Sequence, residues 1–248
     1  IVPMTMITAI IAETTISNLE KAIHATQGTV DIMELRLDYL TQINQDIPSI
    51  TNLISQIKIP YIITLRSTTM GGHFKGTEAQ RLTLLYALAA LNPNYIDIES
   101  FVTDAFITEL HTAYPVIKII RSYHHFSDTP EDLDTILSRM LHPHVSAYKI
   151  VTYATTALDN LRVLHFIQKH TEKFKLVAHC MGALGLPSRV IGAALGNYFT
   201  YASINKNNAP VPDCPDVNSL LHTYNLKQLN KKTKICALLG NPVEQSIG

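Results

Sequence analysis

Short apolar runs alternate with segments of helical period almost from the first residue. The strand-like runs are Met6–Ala12, Val30–Asp38, Tyr61–Ser67, Tyr95–Glu99, Val116–Tyr123, Ala147–Tyr153, Lys175–Met181 and Phe199–Ile204. They are rich in Ile, Val and Tyr and five to nine residues long, as strands covered on both faces should be. Between them apolar residues recur at helical spacing, as in Leu19, Ala22 and Ile23 and again in Leu82, Leu85, Leu88 and Ala89. Helix-start signals precede several of these segments: Ser17-Asn18 before the first, Asp128-Thr129-Pro130 before the fifth, and Asp159 in the opening turn of the sixth. Strands alternating with helices predict parallel βαβ units. An open doubly wound sheet would satisfy that alternation, but the count of eight predicts an α/β fold of the (β/α)8 TIM barrel type.

The C-terminal stretch breaks the pattern. An eighth helix is predicted around Val217–Tyr224, followed by a polar stretch from Asn225 to Lys234. A new strand then starts at Ile235-Cys236-Ala237-Leu238-Leu239, with Gly240-Asn241-Pro242-Val243 after it. A closed barrel has no place for a ninth strand. The expected division is therefore a barrel over 1–228, with 229–248 as a linker and the first strand of a second, truncated domain.

Composition narrows the function classes. The 248 residues carry 20 Lys+Arg against 20 Asp+Glu, and no basic tract supports nucleic-acid binding through phosphate neutralisation. No apolar run reaches the ~18–20 residues of a membrane span. The stretch from Ile1 to Ile11 has no basic n-region, so it reads as a first strand rather than a signal peptide. Cys180, Cys214 and Cys236 fall in no CxxC spacing, which predicts neither a disulfide framework nor a structural zinc site. A cytoplasmic location is expected, or a plastid one if the source is a plant.

Barrel interiors are filled mainly by branched apolar side chains, and active sites sit at the C-terminal ends of the strands. Charges inside strand patterns therefore mark candidate chemistry. Glu34, Arg36 and Asp38 alternate with Leu35 and Leu37 and should share one face. Asp97 and Glu99 alternate with Ile96 and Ile98, Arg66 ends the third strand, and His124 follows the fifth. Lys149 lies in mid-strand, His179 lies on the seventh strand, and Arg189 opens the following helix. Each has a plain structural alternative: an ion-pair ladder for the first trio, loop capping for Asp97 and Glu99, an edge-strand gatekeeper for Lys149. A closed barrel has no edges, however. A buried lysine loses its proton more readily and becomes a nucleophile able to form a Schiff base. His124, on the neighbouring strand, then suits general acid–base work. His142-Pro143-His144 resembles a metal-binding spacing but falls on the opposite face and reads as a solvated loop, and Gly71-Gly72 reads as a flexible turn. Lysine nucleophile, histidine and surrounding carboxylates and arginines point to Schiff-base chemistry on a small anionic carbonyl compound. Dehydration β to the carbonyl and aldol cleavage both remain open at this level.

Met33-Glu34-Leu35-Arg36-Leu37-Asp38, Thr64-Leu65-Arg66-Ser67 with Gly71-Gly72, Ser122-Tyr123-His124, Tyr148-Lys149-Ile150 and Met181-Gly182 with Ser188-Arg189 stand in one order and spacing. In this they resemble the type I 3-dehydroquinate dehydratases over roughly residues 6–225. Leu239-Gly240-Asn241-Pro242-Val243-Glu244-Gln245-Ser246 resembles the opening of shikimate dehydrogenase, and the two together resemble bifunctional enzymes of the shikimate pathway. The resemblance implies a lyase that converts 3-dehydroquinate to 3-dehydroshikimate. Lys149 matches the imine-forming lysine, His124 the acid–base histidine, and Arg189 the arginine that pairs with the substrate carboxylate. Glu34, Arg36 and Arg66 match residues lining the pocket. No cofactor is implied for the dehydratase, and NADP only for the missing domain. A homodimer, common in the family, is the expected assembly.

Three positions depart from the family pattern. Met70 stands where a glutamate usually bonds the catalytic histidine, and His125 where aspartate usually follows it. Asn208-Ala209-Pro210-Val211-Pro212 replaces a lid motif whose glutamine contacts substrate. Glu99, ending the adjacent strand, is expected to supply His124 with the missing carboxylate, and Asn208 to donate hydrogen bonds in place of the lid residue. Two other readings compete with the lyase: an aldolase-like Schiff-base enzyme, and a weakened barrel serving as scaffold for a fused dehydrogenase.

Overall fold

In the computed structural model, which describes residues 5–204 and 210–236, all eight predicted barrel strands are present. β1 (Met6–Ile11), β2 (Ile32–Arg36), β3 (Tyr61–Thr64), β4 (Tyr95–Glu99), β5 (Lys118–His124), β6 (Val145–Tyr153), β7 (Leu176–Met181) and β8 (Phe199–Ser203) form one sheet in the order β7-β6-β5-β4-β3-β2-β1-β8. Its paired neighbours all run parallel. The helices between them are α1 (Ile16–Thr26), α2 (Ile43–Ile54), α3 (Glu78–Ala89), α4 (Asp104–Ala113), α5 (Leu133–Met140), α6 (Ala157–His170) and α7 (Leu186–Ala194).

The remaining seam, between β7 and β8, is bridged by other means. Tyr198 N–H donates to the Leu176 carbonyl at 2.7 Å. The Asn197 carboxamide accepts from Ala178 N–H at 3.0 Å and donates to the Ala178 carbonyl at 2.8 Å. A side-chain amide thus satisfies backbone groups that a ladder satisfies elsewhere, and the sheet curls into a nearly closed (β/α)8 barrel.

Strand alternation sorts the side chains into two cores. Ile32, Ile62, Tyr95, Ile120, Ala147, Val177 and Phe199 pack together as the floor of the barrel interior. Met33, Leu35, Ile63, Ile96 and Ile98 face outward onto Leu19, Ile50, Leu85, Leu88 and Ile107 of the helices. The polar residues two positions further along each strand are thereby lifted above an apolar floor, toward the strand C-terminal ends.

Element ends differ from the expectation in several places. Thr15, not Ser17-Asn18, caps α1, accepting from Asn18 N–H at 3.3 Å. Asp132 caps α5, accepting from Thr135 N–H at 2.8 Å. The expected starter Thr129 is instead buried and donates to the Tyr153 carbonyl at 2.9 Å. Asp159 does open α6, accepting from Thr155 and Thr156 N–H at 2.9 and 2.8 Å. The eighth helical segment narrows to Ser219–Thr223, a π-wound turn closed by Tyr224 N–H on the Ser219 carbonyl at 3.0 Å. Ile235 and Cys236 have no strand conformation. The rest of the expected ninth strand and its Gly-Asn-Pro turn lie outside the described residues.

Candidate active site

A cavity of about 320 Å³ opens at the C-terminal ends of the strands. Its wall includes Glu34 and Arg36 from β2, Arg66 just past β3, His124 from β5, Lys149 from β6, His179 from β7, Tyr201 from β8 and Arg189 from α7. Seven of the sequence-derived candidates are therefore in one place: Glu34, Arg36, Arg66, His124, Lys149, His179 and Arg189. Asn208 lies outside the described residues.

Lys149 is 4% exposed. Its Nζ donates to Glu34 Oε1 at 3.1 Å and to Asp97 Oδ2 at 3.5 Å, and lies 4.0 Å from the centre of the Tyr201 ring. Two carboxylates and an aromatic face thus surround the amine. Glu34 Oε1 also accepts from the Thr64 hydroxyl at 3.0 Å. Asp97 is bound by Arg66 Nη2 at 2.9 Å and by the Ser122 hydroxyl at 2.5 Å. Burial alone would raise the Asp97 carboxyl; the Arg66 and Lys149 charges, with these hydrogen bonds, outweigh it and hold it at about 2.

The cations are matched except at one place. Arg36 forks onto Asp38 with contacts of 2.9 and 2.8 Å, Arg66 pairs with Asp97 at 2.9 Å and Lys149 with Glu34 at 3.1 Å. Arg189 is buried, faces the cavity, and its Nη1 has no partner among the described residues. A planar donor left open in a desolvated pocket suits a carboxylate ligand.

His124 keeps part of its surface open while its Nδ1 is buried without a partner among the described residues. Burial, then the cations of Arg66, Lys149 and Arg36, push its pKa well below the ordinary imidazole range. The ring is neutral at pH 7 and ready to accept a proton.

Three expectations are corrected here. Glu99 makes no hydrogen bond to His124: its Oε1 accepts from Ser67 N–H and the Ser67 hydroxyl, both at 2.8 Å, and its Oε2 pairs with Arg81. The carboxylate is consumed in anchoring the end of β3 and the α3 side chain. Asp38 does not share the strand face of Glu34 and Arg36, because β2 stops at Arg36 and Leu37–Tyr39 form a 3-10 turn from which Asp38 folds back. Gly71-Gly72 is not a loose turn. A Cβ on Gly72 would strike the Arg66 carbonyl, and Gly72 N–H donates to the Ser67 carbonyl at 2.8 Å. His125 points away from His124, toward the Tyr123 hydroxyl and Asp128 at 3.3 Å each. Among the described residues no group of three or more potential ligands is placed to hold a metal ion, and the His144 ring stacks on His111 at 4.2 Å.

Sequence reasoning missed Ser122 and Tyr201 as site residues. Ser122 was visible in the motif with His124, two residues before it on the same strand face. Tyr201 follows the floor residue Phe199 at strand spacing, which places it in the cavity layer. The described end of the β8 loop, Pro210-Val211-Pro212, forms part of the wall, and the Tyr39 hydroxyl donates to the Pro210 carbonyl at 3.2 Å.

The family model for type I 3-dehydroquinase matches residues 6–231. A 3-dehydroquinate dehydratase from Dehalococcoides mccartyi is 36% identical over 177 residues, covering 71% of this chain and 76% of that protein. The chloroplastic bifunctional 3-dehydroquinate dehydratase/shikimate dehydrogenase of Arabidopsis thaliana is 30% identical over 219 residues. That match covers 87% of this chain but 36% of the relative, so the chain spans about a third of its length. In fold, the chain is similar to the type I dehydratase of Clostridium difficile, with a TM-score of 0.82 over 90% of this chain and 92% of that one at 23% identity. The aldolase-like and scaffold readings are not favoured by these matches. With the motifs carried on barrel strands and converging on one cavity, the chain belongs to the type I 3-dehydroquinase family.

Proposed function

We propose that this chain dehydrates 3-dehydroquinate to 3-dehydroshikimate through an imine on Lys149. The observation that carries the reading is the cavity itself: a buried amine, a neutral histidine beside it, and an arginine lacking any carboxylate partner among the described residues. Arg189 takes the substrate carboxylate, which orients the ring and places the C3 ketone over Lys149. Lys149 Nζ adds to C3, water leaves, and the protonated imine withdraws electrons from C2. His124 removes the C2 proton, and the electron pair becomes the enamine. His124 then returns a proton to the C1 hydroxyl, which departs as water as the C1–C2 double bond forms. Hydrolysis of the imine releases the enone and regenerates Lys149.

Glu34, Arg36 and Arg66 serve this scheme as the polar wall for the substrate hydroxyls. Asp97, held as carboxylate, stabilises the positive charge on nitrogen in the ammonium and again in the iminium. No step needs a cofactor. NADP would serve a dehydrogenase domain of the kind named in the Arabidopsis relative, and a homodimer is the proposed assembly. No helix among the described residues is long and apolar enough to cross a membrane.

The assay is the growth of enone absorbance on mixing with 3-dehydroquinate. Turnover that disappears in Arg189→Gln at low substrate and returns in part at high substrate supports the reading. Absence of turnover by the folded wild-type chain at any substrate concentration contradicts it.

A further inference from the structure

His179 is a group in the cavity for which the scheme above has no task. It lies on β7 opposite Val151 of β6, and His124 of β5 pairs with the same Val151 from the other side. In strand register the two imidazoles therefore flank Val151 from either side of β6. Lys149 is two residues back along β6, and like His179 it stands two positions past a floor residue, Ala147 for the lysine and Val177 for the histidine. Tyr201 connects amine and imidazole: Lys149 Nζ is 4.0 Å from its ring centre, and the His179 ring is 6.1 Å from it.

His179 is buried, lines the cavity, and its Nδ1 has no hydrogen-bond partner among the described residues. A histidine kept for packing would normally bond through that nitrogen, since an unpaired buried polar atom costs about 1–3 kcal/mol. Burial, with the Arg189 and Lys149 cations, keeps the ring neutral and able to accept a proton.

The chemistry has room for such a group. Proton transfers occur at two separate places: at C3 and Nζ while the imine forms and hydrolyses, and at C2 and C1 during elimination. Asp97, held at about 2, is a poor acceptor for the proton that Lys149 must release. We infer that His179 is a second acid–base residue, handling the protons of imine formation and hydrolysis while His124 handles those of the elimination; the inference rests on the dehydratase reading. Lys149 ammonium gives one proton to His179, and the free amine adds to the C3 carbonyl. A second proton shifts from nitrogen to the new oxygen, giving the neutral carbinolamine. His179 returns its proton to that hydroxyl, the C–O bond breaks, water leaves, and the nitrogen lone pair forms the iminium. The ammonium's three protons end as one on the iminium and two in water, and hydrolysis runs the same steps in reverse.

The test is rapid mixing with 3-dehydroquinate, quenching with borohydride at increasing times, and weighing the Lys149 peptide. His124→Asn is expected to form the adduct at close to the wild-type rate while failing to make enone. His179→Gln, and His179→Met as a second variant of similar volume, are expected to form it about 100-fold more slowly, with substrate binding retained in a direct titration. Adduct formation at the wild-type rate in either His179 variant overturns the inference. So does slowing that only tracks lost binding, which would make His179 a packing residue. A wild-type chain that yields neither adduct nor enone removes the dehydratase reading, and the inference with it.

Discussion

Glu34 and Asp97 approach Lys149 at 3.1 and 3.5 Å, so replacing this residue acts twice. Lys149→Ala removes the nucleophile, and turnover is expected to fall by more than about 1,000-fold. It also leaves two buried carboxylates short of a cation, at about 3–5 kcal/mol, which a denaturant titration would record. Glu99→Gln separates two accounts of that carboxylate. If Glu99 oriented His124, the acid limb of the kcat profile would move. Because it holds Ser67 and Arg81 instead, the expected result is a loss of stability of about 3 kcal/mol with that limb in place. Lys149 and His124 were legible as cavity residues because a titratable side chain inside a barrel strand has few places to go, and Arg189 by its place in the motif that follows β7. The partner of Glu99 was not. Strand parity tells which face a residue takes but not which neighbour reaches it. Arg81, three residues after Glu78 on α3, reads in sequence as half of an exposed i,i+3 pair, yet it is 1% exposed and crosses to Glu99.

At the scale of elements, the strands were readable because runs of Ile, Val and Tyr bounded by turn residues leave little choice of conformation. Helix starts were less so, because neighbouring Ser, Thr and Asp residues compete for one cap. Thr15 prevails over Ser17, and Asp132 over Asp128. Contacts between loops were invisible, and the one joining β2 to the β8 loop bears on function. Tyr39 stands in the 3-10 turn after β2, with the Arg36 guanidinium 5.1 Å from its ring and its hydroxyl on the Pro210 carbonyl at 3.2 Å. It holds a wall segment that, with Pro212 in it, has fewer donors of its own. Tyr39→Phe is expected to raise KM about 3- to 10-fold, the worth of one neutral hydrogen bond, with kcat unchanged in steady-state assays. An equal fall in kcat would place Tyr39 in the chemistry rather than in the wall.

For the whole molecule, the site sets the pH dependence of folding. His124 and His179 have pKa values pushed well below the ordinary range in the fold, whereas in the unfolded chain they titrate near ~6.5. Below that pH the unfolded state binds protons that the folded state refuses, so stability falls as pH falls, by about 1.4 kcal/mol per pH unit for each histidine. Asp97 acts further down: its stabilisation is complete above the unfolded carboxyl value of ~3.9 and is lost as pH falls toward about 2. Urea midpoints compared between pH 7 and 5 should drop for the wild type and drop less steeply for His179→Gln. The same burial that sets this cost surrounds the lysine proposed to form the imine. The most direct measurement is borohydride reduction in the presence of 3-dehydroquinate, followed by mass spectrometry of the peptides. A substrate- or product-derived adduct on Lys149, absent without substrate and absent in Lys149→Ala, is the expected result. A folded protein that turns over 3-dehydroquinate yet carries no adduct, or carries it on another lysine, would contradict the account.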